Sequence, residues 1–209
     1  MFRTVRPVAF DPADVLEPTS RFVVVHGYDT AGCGIVLESL PDAPADTGAE
    51  RRFAAGDVSA EERAARYGHA GRAIVLVGES AEDASAVAAA LERRIFARGV
   101  HSYCLGATDL GEEKDVLGRE AHLRRLGEIA WAMTDAGVVL VAALGDVDRF
   151  DLGHLRALAA PHEMFVIGAG EAVELEADLE LPSSLSADEA AEQALAALAA
   201  AGIVPAGTA

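Results

Sequence analysis

The chain has 209 residues, 51% hydrophobic and 24% charged, with a net charge of −17. That balance fits one globular α/β domain plus an appendage. The acidic surplus argues against nucleic acid and anionic membranes as partners, and the apolar stretch from Gly137 to Leu144 is too short to span a bilayer.

The opening residues, MFRTVRPVAFDPADV, contain no signal-peptide core, so the chain is expected in the cytoplasm. Arg21 to Val25 reads as a strand, Tyr28-Asp29-Thr30 as a turn, and Gly34 to Leu37 as a second strand. The two form a β-hairpin within residues 1–40. Phe22, Val24, Ile35 and Leu37 supply its apolar side chains, and it is expected to be packed on its own domain or on another subunit rather than a tail. A linker follows over residues 41–58, rich in turn formers from Pro41 to Gly48. Ser59 then caps a short charged helix, with Glu62 three residues later as its capping-box partner, and Gly68 ends it.

From Arg72 the pattern alternates. Strands are predicted at Ala73–Val77, Val100–Leu105, Val138–Ala142 and Glu163–Ile167, with a fifth at Asp178–Leu181. Helices are predicted over Ala84–Arg98, Arg119–Ala136 and Asp151–Ala159. A last one starts behind Ser186, boxed with Glu189, and runs to about Ala201. This alternation predicts a parallel sheet of about five strands with helices on both faces, the strand at Ala73 central. Ligands of such folds bind at the carboxyl ends of the strands.

The loop after the first of these strands carries the sharpest signal. Strand, glycine, loop and helix is the plan of a phosphate-binding loop, which needs G-x-x-x-x-G-K-[ST]. Over Gly78, Glu79, Ser80, Ala81, Glu82, Asp83, Ala84 and Ser85, only the first and last positions fit. Asp83 stands at the second glycine and Ala84 at the lysine. The chain has one lysine, Lys114, to offer elsewhere. Glu82 and Asp83 put negative charge where phosphates would lie, a cost of kilocalories in a tight site.

The two cysteines, Cys33 and Cys104, fit no disulfide framework, and Cys104 reads as a small core residue. The six histidines lack metal-ligand spacing, so no metal is expected; His26 and His122 read as surface or structural residues. Trp131 and Met133 read as core.

Three stretches together carry a family resemblance. Arg63-Ala-Ala-Arg-Tyr-Gly-His-Ala-Gly71 leads into the first strand. Gly78, Ser80, Ser85, Ala88, Leu91 and Glu92 fall without a gap on the pattern GLSGSGKST followed by A-x-x-L-E. Arg119-Glu-Ala-His-Leu-Arg-Arg-Leu-Gly-Glu-Ile-Ala130, with Asp135-Ala-Gly137 and a strand behind it, follows D-R-x-E-N-I-R-R-[IV]-G-E-[VI]-A and D-A-G. Residues 60–170 thereby resemble the adenylyl-sulfate kinases, which phosphorylate adenosine 5′-phosphosulfate. The resemblance implies a P-loop kinase-like fold. Upstream, Val5-Arg-Pro-Val-Ala-Phe-Asp-Pro, Ser20-Arg-Phe-Val-Val-Val-His and Ala31-Gly-Cys-Gly-Ile resemble the end of the last β-barrel of the GTPase-type large subunit of sulfate adenylyltransferase. In some bacteria that subunit is fused to an adenylyl-sulfate kinase domain.

The chain departs from the kinase pattern at four places. The phosphate loop lacks its second glycine and its lysine. The motif L-D-G-D-N-[IV]-R reads Leu105-Gly-Ala-Thr-Asp-Leu-Gly111, with Asp109 at the Asn position. Gly118 and His122 replace the Asp and Asn of the third motif. Leu144-Gly-Asp-Val-Asp148 stands in place of S-P-[YF]-R, and the basic lid is missing. Phosphoryl transfer needs positioning and cations on the moving group, and these losses coincide.

The resemblance with these losses predicts a non-catalytic, pseudokinase-like protein of residues 59–209, with a binding or regulatory role in sulfate assimilation and no cofactor. Expected partners are sulfate adenylyltransferase subunits, an intact adenylyl-sulfate kinase, or a second copy. Two alternatives stay open: an active kinase using ATP and Mg²⁺ to make 3′-phosphoadenylyl sulfate, and a ligand-free assembly module. A residual anion site would be marked by Arg119, His122, Arg124 and Asp109, as the resemblance implies. Arg119, Arg124 and Arg125 equally fit a solvated helix face pairing with Glu120 and Glu128.

Overall fold

The computed structural model describes residues 8–26, 29–38, 56–78, 81–109, 116–170 and 176–206. The chain divides into two compact units, Met1–Glu50 and Arg51–Ala209.

In the first unit, β1 (Arg21–His26) pairs antiparallel with β2 (Asp29–Ile35). The second strand therefore starts at Asp29 and ends at Ile35, not at Gly34 and Leu37 as its apolar run suggested. Asp29 and Thr30 are strand residues, and Tyr28 lies outside the described residues. The register explains the shift. His26 faces Asp29 across a two-residue connection, and pairing then proceeds back to Arg21 and Ile35, with one irregularity beside Val24. Phe22 lies opposite Gly34, where a Cβ would come within 2.5 Å of its ring. Val24, Ile35 and Leu37 are exposed, and Ser20 is the one buried residue among residues 8–25 and 29–38. Two strands alone cannot cover their own side chains.

The second unit is a five-stranded sheet in the order β4-β5-β3-β6-β7, every pair parallel. Its strands are β3 (Arg72–Gly78), β4 (Ser102–Asp109), β5 (Val139–Gly145), β6 (Met164–Ala169) and β7 (Leu179–Leu181). β3 is central, as its unbroken apolar run requires. Its side chains alternate between two faces. Ile74 and Leu76 enter one core with α2 (Ala81–Ala97) and α5 (Ala187–Ala200). Val75 and Val77 enter the other with α3 (Val116–Asp135) and α4 (Arg149–Ala159). A strand buried on both faces loses the polar alternation of an exposed one.

The helix ends follow local chemistry. α1 (Ala60–Tyr67) has the Ser59–Glu62 capping box, and Gly68 closes it in the left-handed conformation at φ 77°. α5 has the box of Ser186 with Glu189, whose carboxyl is held below its ordinary range by the Ser186 hydrogen bonds. On α3, Gly127 admits α4 closely: a Cβ there would lie 2.5 Å from Leu158 Cβ. Arg94 of α2 ties to Asp188 and Glu192 of α5 at 2.9 and 3.2 Å. Among the described residues, no helix is long and apolar enough to cross a membrane.

Candidate functional site

The topology fixes where a ligand would sit. From β3 the chain crosses to β4 on one side, and from β5 it crosses to β6 on the other. Adjacent strands whose connections diverge leave a crevice at their carboxyl ends. The last residues of β3 and β5, Gly78 and Gly145, are register partners at that point.

Of the eight residues read as a phosphate loop, Gly78 ends β3 and Ala81 to Ser85 lie in α2. α2 begins at Ala81, three residues before the expected start. Glu79 and Ser80 lie outside the described residues, and only these two separate the strand from the helix. Ala81 is buried, Glu82 is exposed, and Ser85 is half-buried; the side chain of Asp83 lies outside the described part. Ala84 is 0% exposed and belongs to the core formed by Ile74, Leu76, Ala88, Leu91 and Ile95. Its spacing to Ala88, Leu91 and Ile95 is that of one helix face. The position matched to the lysine therefore points into the protein. The physical reason is composition: Ala81-Glu-Asp-Ala84 suits a helical first turn, with carboxylates at its positive end, where a cradle needs glycines.

β4 also runs further than expected, to Asp109, through Gly106 and Thr108. These residues were read as the loop behind the second strand. The pairing continues past a register shift, with Thr108 opposite Leu144 and Asp109 opposite Gly145. Asp109 thus ends a strand beside the crevice; its side chain lies outside the described part. β4 is an edge strand, and Glu92 covers part of it by accepting the Cys104 N–H at 2.9 Å. Burial pushes the Cys104 thiol up from its ordinary range, which suits a packing residue better than a reactive one.

Arg119 is a cation at this edge, and it is committed to its own chain. Its Nη2 donates to Asp151 Oδ2 at 2.5 Å and to the Asp146 carbonyl at 2.6 Å, while Nε reaches Asp151 Oδ1 at 3.4 Å. Asp146 Oδ2 lies 3.6 Å from Nη1. The side chains of Arg119 and Asp151 are 16% and 9% exposed. The Asp151 hydrogen bond raises the guanidinium pKa above its ordinary value. Asp146 follows Gly145 directly and takes a left-handed conformation, φ 51°. Asp148 caps α4, accepting from the N–H groups of Phe150 and Asp151, and its own N–H donates to Asp151 Oδ2 at 3.1 Å.

The arrangement brings together Arg119, Asp146, Asp148 and Asp151. It does not join Arg119 to Arg124. Five residues along a helix is a turn of about 140° away from the first face, and Arg124 is exposed where Arg119 is half-buried. His122 is half-buried one turn from Arg119. Sequence reasoning missed the three aspartates. The available signal was Asp148-x-x-Asp151, a capping box closed by aspartate in place of the usual Glu or Gln. Among the described residues, no group of His, Cys, Asp and Glu is placed to hold a metal ion.

Comparison with known proteins places this region. Residues 70–159 match the family model of adenylylsulphate kinase. An adenylyl-sulfate kinase of Shewanella amazonensis is 36% identical over 125 residues, 56% of this chain and 59% of that protein. The bifunctional enzyme NodQ of Rhizobium tropici is 27% identical over 184 residues, 85% of this chain and 27% of its own length. The chain thus spans less than two thirds of either relative. Among solved structures, a hexameric APS kinase from Thiobacillus denitrificans superposes with a TM-score of 0.56 at 22% identity, covering 66% of this chain and 31% of that one. The sheet, its order and its helices are those of the P-loop kinase-like fold of adenylylsulphate kinases, and residues 70–159 are similar to that family in sequence.

Proposed function

We propose that this chain is a non-catalytic relative of the adenylylsulphate kinases, acting as a binding or regulatory protein of sulfate activation in the cytoplasm. The observation that carries the reading is Ala84, buried in the core where the phosphate-loop lysine would stand. Without that cation, with α2 starting at Ala81 and with Arg119 committed to Asp151, the described edge offers a triphosphate little positive charge. Glu82 adds repulsion. Residues 59–209 form the kinase-like domain in this reading, and residues 1–40 a segment from the end of a sulfate adenylyltransferase barrel.

The partner follows from the second part. The alignment with NodQ, a bifunctional enzyme, takes in more of the chain than residues 59–209 contain, so it reaches into the N-terminal segment. The hairpin there carries exposed apolar side chains, Val23 and Val25 among them. Sulfate adenylyltransferase subunits, or an intact adenylyl-sulfate kinase beside them, are the partners this supports.

The test is turnover. Incubation of the full chain with MgATP and adenosine 5′-phosphosulfate should give no 3′-phosphorylated product above the enzyme-free rate. Sustained product formation that scales with protein concentration would refute the reading.

A further inference from the structure

The donors around Asp151 are those that would hold a tetrahedral oxyanion. A guanidinium fork approaches from α3, and the N–H of Asp148, the N-cap of α4, approaches from the connection before that helix, both onto Asp151 Oδ2. Guanidinium forks recognise carboxylates, sulfates and phosphates through the same paired N–H geometry. The cluster stands at the crevice itself: Asp146, whose carbonyl takes the second Arg119 bond, is the residue after Gly145, the register partner of Gly78. The carboxylate here is covalently part of the chain, so its local concentration exceeds that of any dissolved anion.

We propose that Asp151 is an internal anion that occupies Arg119 and closes the carboxyl edge of the sheet to sulfate and phosphate, an autoinhibitory contact built into the first turn of α4. Asp146 fixes the guanidinium from the other side, through its carbonyl and its carboxylate. The inference rests on the reading of residues 78–85 as a lost phosphate loop.

The experiment uses the full chain and inorganic sulfate, titrated against chloride at equal ionic strength. Binding is read calorimetrically and from the Arg119 Nε–H resonance. Asp151→Asn keeps an oxygen for the Asp148 N–H while removing the charge. It should bind sulfate at least tenfold more tightly than the parent chain, with the Arg119 signal shifting, and adding Arg119→Ala to it should abolish the gain. Asp151→Ser is the second variant and should behave alike. A folded Asp151→Asn chain with the parent's affinity would overturn the proposal, as would a gain that survives loss of Arg119. If both Asp151 variants fail to fold, Asp151 is a structural post and the proposal falls. Tight MgATP binding by the unsubstituted chain would instead fail the reading beneath it, and the sulfate comparison is independent of that result.

Discussion

Ala84→Lys should destabilise the protein by about 4 kcal/mol or more and should not confer nucleotide binding. The substitution restores the residue that a phosphate loop requires, yet Ala84 is 0% exposed between β3 and the rest of α2. Extra methylenes in a packed core cost about 1–3 kcal/mol through displaced neighbours. An ammonium drawn into apolar surroundings adds a further penalty, met by neutralisation or by unfolding. Glu82→Lys is the control. Glu82 is exposed on the same first turn, so a cation there should change stability by about 1 kcal/mol at most. Urea denaturation of both variants reads the difference. An Ala84→Lys chain as stable as its parent, and newly able to bind MgATP, would mean that position 84 faces the crevice.

Removing Arg119 should cost about 2–4 kcal/mol. Asp151 is nearly enclosed, and its carboxylate would keep one backbone N–H while losing its counter-ion. Breaking one side of such a pair is more damaging than deleting both, because the remaining charge is left buried. Arg119→Ala with Asp151→Ala should therefore lose less than the sum of the two single variants, a coupling of about 1–3 kcal/mol. Arg119→Lys should rescue poorly, since an ammonium cannot reach Asp151 and the Asp146 carbonyl through a planar fork. Additive effects in that cycle would show that the network carries no coupling.

How far the sequence determined these features differs from element to element. The strand at Ala73–Val77 was legible because a central parallel strand is apolar on both faces. The boxes of Ser59 with Glu62 and Ser186 with Glu189 were legible because capping is a local interaction with fixed spacing. The start of α2 lies three residues before the one the phosphate-loop pattern implies. Glu82 and Asp83 were read as misplaced charges in a phosphate site, although carboxylates in a first helical turn are an ordinary helix-start signal. β4 ran on because pairing with β5 outweighed the loop character of Gly106. The Arg119–Asp151 pair links residues 32 apart, and no pattern in either stretch announces it. It arises only once β5 delivers Asp146 and Asp148 to the same edge as α3. The hairpin strands were legible as apolar runs, but their register, with His26 opposite Asp29 and Arg21 opposite Ile35, was not.

The proposed function requires a crevice between β3 and β5 that holds no triphosphate. Calorimetric titration of the full chain with MgATP tests it most directly. No saturable heat is expected up to millimolar nucleotide, roughly a thousandfold weaker than a micromolar site and about 4 kcal/mol in binding free energy. A one-site isotherm with micromolar affinity would contradict it.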